Sequence, residues 1–263
     1  MSVIDIPRHD LIASPQGPPP LGWLEVQSSS DPNSLLWDTI TRVESGVFMD
    51  CGYVATHEEL QREYEDYLDS STMIGLLNDG DVAGGGRYIA YGPAGFKTIN
   101  DIIKGRIEAD KNGLDMLANV DYPHAAEIGT TILEKQYRSR AGGALVGLVY
   151  GAFYQRAVNT DVTALLATLD YGYAKGFLRR FKEFATQLGP PVEYMGSLSV
   201  PVHMDVTKMD MEMFVPSKSQ EELREERKRA RLLRVAERHV AEIYERREDA
   251  ETQRLEDLEQ GIL

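Results

Sequence analysis

The sequence predicts a mixed α/β domain, an α+β sheet carrying helices, with a C-terminal helical extension. Three observations carry that expectation. TMIGLLNDGDVAGGGRYIAY (72–91) sets two apolar runs around Asn78-Asp79-Gly80-Asp81, a strong hairpin signal. Between 124 and 170 a strand pattern, an Arg/Gly-rich turn, a long apolar helical run and a second strand pattern follow in order. From Pro216 the composition shifts to Glu, Arg, Leu and Ala, which is one long helix by propensity. The expected layout is an irregular arm over 1–33, the α/β domain over 34–215 and a charged helix over 216–263.

The elements follow in chain order. SPQGPPPLG and SSSDPNS mark the arm as largely irregular, wrapping the surface through Leu21, Trp23 and Leu24. DPNSLLWDTITRVESGVF opens a helix behind an Asp or Ser cap, with Leu35, Leu36, Ile40 and Val43 as its apolar face. THEELQREYEDYL (56–68) is a second helix, its Thr56 and Glu59 spaced as a capping box. After the hairpin, 95–117 reads as helix or loop. HAAEIGTTIL (124–133) is a strand, 142–158 a buried helix and VTALLATLD (162–170) a strand. YAKGFLRRFKEFATQLG (173–189) reads as an amphipathic helix ending at Gly189-Pro190, and 193–206 as a last strand region.

Composition narrows the function. The chain has 263 residues, 42% of them hydrophobic, enough for one sizeable domain or a domain with an appendage. One cysteine, Cys51, excludes a disulfide framework and a Cys-based metal cluster. Five histidines without HxxxH or HxH spacing give no zinc pattern, so no metal is expected. MSVIDIPRHD lacks a basic secretory n-region, and the longest apolar stretch, 141–154, falls short of the about 20 residues a bilayer needs. A soluble, cytoplasmic protein with no membrane partner is expected. The net charge of −14 leans against nucleic-acid binding.

The chemistry gathers at RSRAGGA (138–144). Two arginines precede a buried helix whose N-terminus is already partly positive, a placement that makes sense when an anion docks there. Amides at that helix start, opened by Gly142, Gly143 and Ala144, form a phosphate cradle, and Arg138 and Arg140 add charge-assisted bonds. The loop is neither a Walker loop nor a dinucleotide fingerprint. A surface arginine pair before a closely packed helix is the structural alternative. Glu127 stands in an apolar strand, where burial raises a carboxyl toward the range useful for a general base. The alternative is that it pairs with an arginine such as Arg87.

The order of hairpin, strand with a carboxylate, Arg/Gly loop, buried helix, strand, helix and strand resembles the GNAT superfamily of acyltransferases. RVESGVF, GGGRYI, AAEIGTTILEKQYRSR, FLRRFKEF and EYMGSLSVPVHMD resemble most the N-acyl amino acid and acyl-homoserine-lactone synthases. The resemblance spans about residues 35–206 and implies acyl transfer from a thioester to an amine, with no tightly bound cofactor. The cosubstrate it implies is acyl-CoA or a phosphopantetheine thioester. Glu127 then matches the base glutamate. The backbone of Thr130, Thr131 and Ile132 would bond the pantetheine arm like an added strand. Arg42 and Phe48 match the elements closing over the acceptor, and Arg87 would bind an acceptor carboxylate. The family loop is Q/R-x-x-G-x-G/A; here Arg140 is followed by Gly143 and then Leu145, which shifts the register. The leaving-thiolate acid would be Tyr173, or by alignment of FLRRFKEF the position of Leu178, which has no proton to give.

The implied partners are a small amine acceptor and an acyl carrier protein. Lys175, Arg179, Arg180 and Lys182, with seven Lys/Arg against three Glu over 223–239, would suit an acidic partner. The same tail cluster leaves open an aminoacyl-tRNA donor. Its seam of Leu233, Ala236, Val240 and Ile243 leaves open a homodimer or a non-catalytic scaffold.

Overall fold

A computed structural model describes residues 24–138 and 142–214. The expected C-terminal helix, the arm before Leu24, and Arg140 lie outside the described residues.

The strands are β1 (Leu24–Ser29), β2 (Ser71–Asn78), β3 (Asp81–Ala90), β4 (Ala125–Leu133), β5 (Ala164–Asp170), β6 (Ala185–Gln187), β7 (Val192–Tyr194) and β8 (Ser197–Asp205). The helices are α1 (Leu35–Asp50), α2 (His57–Tyr64), α3 (Lys97–Ile103), α4 (Lys111–Ala118), α5 (Gly142–Asn159) and α6 (Tyr171–Arg180). The strands form one sheet ordered β1-β2-β3-β4-β5-β8-β6, with β7 on the same outer edge of β8 as β6. Among the described strands only β4 and β5 run parallel, and the crossover through α5 joins them.

Helices cover both faces. α5 lays Leu145, Val149 and Phe153 on Ile74, Tyr88 and Ile128. On the other face α1 seats Trp37 and Ile40 against Met73 and Ile132, while Phe96 and Leu117 pack on Ala125 and Leu166. Burying these surfaces is the main favourable term in holding helices to sheet. Among the described residues no helix is long and apolar enough to cross a membrane.

Local signals explain most boundaries. Ser34 caps α1 by accepting from the Trp37 amide. Thr56 caps α2 by accepting from the Glu59 amide, while Glu59 reaches the Ala55 amide, one residue before the cap. The β2–β3 turn has Asp79 at φ 52° and Gly80 at φ 94°, the two positive φ values that a tight two-residue hairpin requires.

Four expectations need correction. Residues 24–29 are not irregular: they pair antiparallel with β2 as an edge strand. The α1 face is rotated, with Trp37, Ile40, Thr41, Glu44, Ser45 and Val47 buried and Leu35 81% exposed. The helix over 173–189 stops at Arg180, and Ala185–Gln187 instead pairs with β8. Phe181 leaves the helical region and turns its ring among Phe177, Phe184 and Phe214. Lys182 is therefore off the α6 helix. The last strand region is a hairpin, β7 and β8, turning at Met195 (φ 47°) and Gly196 (φ 74°).

Candidate active site

The site is built on a parting of strands. β4 and β5 pair from Ala125↔Ala164 to Ile128↔Ala167 and no further. β5 continues to Asp170 against β8, and β4 continues to Leu133 against β3. The parting begins where Gly129 is an extra residue in β4, a bulge against Arg87 and Tyr88 of β3. A side chain at Gly129 would meet Tyr64 and Ile89 at about 3 Å. The bulge also reverses the facing of the strand. Ile128 before it and Leu133 after it pack with α5, whereas Ile132 packs with α1.

Beside the parting lie two buried polar centres. In the first, Arg87 Nη2 donates to Glu44 Oε2 at 2.9 Å, and Thr130 Oγ1 donates to Glu44 Oε1 at 2.5 Å. Both side chains of the ion pair are fully buried. The guanidinium lies 4.6 Å from the Tyr64 ring centroid and 5.7 Å from that of Trp37, a cation–π arrangement. Its Nε and Nη1 are buried without a hydrogen-bond partner. Tyr64 donates to the Gly129 carbonyl at 2.7 Å, which ties α2 to the bulge.

The second centre is Glu127. Its Oε1 accepts from the Thr98 amide at 3.0 Å and the Thr98 hydroxyl at 2.8 Å, and its Oε2 from the same amide at 3.2 Å. Burial pushes its carboxyl up to about 7, against the Thr98 bonds and Lys97, which pull it down; Asp101 pushes it further up. Lys97 binds Asp101 (2.7 Å), Glu63 (2.9 Å) and the Tyr194 hydroxyl (2.6 Å), and Arg106 holds Glu63 and Asp101 from the rim.

On the opposite face, Tyr150 of α5 stacks on Tyr173 of α6 at 6.2 Å between centroids. The Tyr150 and Thr131 hydroxyls are buried without a formed hydrogen bond, yet Tyr150 is close enough to Thr131 and Tyr173 for each to affect its proton. Burial pushes Tyr150 up to about 12. Burial and then the Tyr150 hydroxyl raise Tyr173, which is 40% exposed.

Solved structures share this architecture. FeeM, an N-acyl amino acid synthase from uncultured soil microbes, superposes with a TM-score of 0.51 at 16% identity, over 71% of this chain and 94% of its own. The fold is that of the GNAT-like acyltransferases. Weaker likenesses include the acyl-homoserine lactone synthases LasI (12% identity, 75% of this chain and 99% of that one, TM-score 0.48) and CoA-dependent BjaI (14%, 74% and 92%, 0.47). No family model and no curated protein matches the sequence.

In this acyltransferase fold the expected residues are distributed unevenly. Glu127, Arg87, Thr130, Thr131 and Ile132 gather at the parting of β4 and β5. Glu127 does not pair with Arg87: Thr98 holds the first and Glu44 the second. Arg42 is not brought there; it is exposed and pairs with Asp38 at 2.8 Å, one turn back. Phe48 is half-buried, edge-on to Tyr53 at 5.4 Å, between the α1 and α2 packing clusters. Arg138 donates from Nε to the Leu133 carbonyl at 2.8 Å, closing the end of β4. Gly142 opens the 18-residue α5, with Gly143 and Ala144 in its first turn. A side chain at Gly143 would meet nothing within 4 Å. Leu178 lies half-buried against the α5 core.

Sequence reasoning missed Glu44, Thr98, Tyr64 and Tyr150. Glu44 had a signal: an acid four residues after Ile40 and three before Val47, in the middle of a buried helix face. Tyr150 sat inside the helical run as one more apolar-sized ring. Thr98 had none, because its role depends on a strand 29 residues away.

Proposed function

We propose that the protein is an N-acyltransferase that moves an acyl group from a thioester to the amine of a small acceptor. The observation that carries this reading is the parting of β4 from β5 beside Glu127. A strand that leaves its neighbour offers main-chain groups over 130–132 to an extended chain. A pantetheine arm is such a chain, and amides there would polarise the thioester carbonyl. The start of α5, open at Gly143, supplies amides and a positive helix end for the phosphates of acyl-CoA or of a carrier protein's phosphopantetheine. The exposed Lys175, Arg179 and Arg180 of α6 suit an acidic carrier domain.

The acceptor enters from the α1–α3 face. Arg87 keeps Nε and Nη1 buried and unused, donors that would bond a carboxylate on the acceptor. Glu127, titrating near neutrality, accepts the ammonium proton. The amine lone pair then attacks the carbonyl, the C–N bond forms and the C–S bond breaks. A thiol has a pKa of about 8.5, so its thiolate leaves readily. Tyr173, stacked on Tyr150, would protonate the departing thiolate and recover its proton from the second N–H of the attacking amine.

The test is a panel of acyl-CoAs and holo acyl carrier protein, followed by thermal stability and thiol release with mixed amino acids as acceptors. Binding to the native state raises Tm by mass action. A shift with a thioester donor, and thiol release lost in Glu127→Gln, is the expected result. Binding without turnover of any donor overturns the reading as an enzyme.

A further inference from the structure

The hydrogen bonds around Glu127 continue past Thr98. The Thr98 Oγ1 lies 3.0 Å from the Oγ1 of Thr168 on β5. A hydroxyl has one proton and two lone pairs. The proton of Thr98 points to Glu127 Oε1, so Thr168 must be the donor in the second bond. That leaves the lone pairs of Thr168 free to accept from outside. Thr168 is half-buried and is the first residue of β5 beyond the last rung with β4, Ile128↔Ala167. Glu127, by contrast, is 2% exposed. One end of this chain of groups is buried and the other stands at the parting of the strands.

We propose that Thr98 and Thr168 form a proton relay between the acceptor amine and Glu127. This rests on the acyltransferase reading and deepens it. The acceptor ammonium gives a proton to Thr168 Oγ1 as Thr168 passes its own to Thr98 Oγ1, and Thr98 passes its own to Glu127 Oε1. The amine is left neutral, with the electron pair that forms the C–N bond. Its second N–H proton leaves with the thiolate as thiol. With Glu127 protonated the three bonds reverse: Glu127 donates to Thr98, Thr98 to Thr168, and the Thr168 proton points outward for return to water. Either direction uses the same heavy-atom positions, so no side chain has to move. The charged and titratable groups around Glu127 are Lys97 and Asp101 from α3, Tyr64 from α2 and Tyr67 beyond it. The relay makes Thr168 a residue that touches substrate and Thr98 a positioning residue.

The experiment compares Thr168→Val, which keeps the shape and removes the hydroxyl, with Thr168→Ser, which keeps the hydroxyl. Thiol release from octanoyl-CoA with the twenty amino acids gives kcat, KM and the dependence on D2O fraction. Glu127 is titrated by 13C NMR of its carboxyl carbon. Positioned proton transfer is worth about 10²–10⁴-fold, so the valine variant should lose at least about tenfold in kcat at unchanged KM for octanoyl-CoA. The serine variant should restore it. The wild-type rate should bend against D2O fraction, as several protons moving together require, and the bend should vanish in the valine variant. Removing the Thr168 donor should also raise the pH at which Glu127 titrates. A valine variant with wild-type kcat and the same bend overturns the relay. If the wild type releases no thiol, the acyltransferase reading fails, and the NMR titration still decides the hydroxyl order. An unchanged Glu127 titration in Thr168→Val overturns that order.

Discussion

Glu127 ties its own ionisation to the stability of the fold. Its carboxyl rises from the ordinary 4.5 to about 7. Between those values the native state keeps a proton that the unfolded chain has lost. Its stabilising contribution is therefore full below about 4.5 and is lost as pH rises through about 7, by roughly 3 kcal/mol. Glu127→Gln should flatten that decline. Urea unfolding of both proteins at pH 5 and pH 8 measures it, and equal slopes would place the titration elsewhere. Arg87 and Glu44 behave differently, since each exists in the core only because of the other. Glu44→Leu should cost about 3–5 kcal/mol by leaving a buried guanidinium unpaired. Glu44→Leu with Arg87→Met should recover most of it, read from denaturant midpoints. At this scale the sequence disclosed the charged residue in each centre but not its partner. A carboxylate among β-branched residues stands out in one dimension; the threonine that holds it is defined only by packing.

The elements were legible where a local rule suffices. Asn78-Asp79-Gly80-Asp81 specifies its turn, and the Thr56 cap specifies the start of α2, so both stand where expected. Thr56→Ala should cost about 0.5–2 kcal/mol in thermal or urea unfolding. Residues 181–187 were not legible, because their alternation of Phe, Lys and Glu serves a helix or an edge strand equally. The aromatic cluster and the open edge of β8 decide between them. Met195 takes a left-handed turn that composition gives no reason to expect of methionine. The glycine run of β3 has a clear purpose in three dimensions. A Cβ at Gly86 would stand 2.0 Å from the Thr130 carbonyl oxygen. Gly86→Ala should force β3 from β4 and disturb Thr130, which holds Glu44. Overpacking of this kind costs about 1–3 kcal/mol, and the variant should also lose the thermal shift with acyl-CoA, a joint effect that a purely peripheral strain would not produce.

For the whole molecule, the order of elements was enough to expect an acyltransferase-like sheet. The parting of β4 from β5 was not readable, because it rests on one extra residue, Gly129, whose effect is a pairing register. Donor binding should therefore be visible as slowed amide exchange over residues 130–132 on adding acyl-CoA, with β1 and β2 unchanged. Uniform slowing across the sheet would point instead to general stabilisation. The strand order carries a consequence for biosynthesis. From β1 to β5 each strand lies beside the one made just before it, so the sheet can be laid down in the order in which the ribosome delivers it. β8 breaks that sequence by inserting between β5 and β6. Until residue 205 has emerged, the nascent chain carries β5 with one side unsatisfied, the condition under which a strand recruits a foreign neighbour. Translational pausing between residues 170 and 205 should therefore prolong the time for which this edge of β5 is open to misassembly.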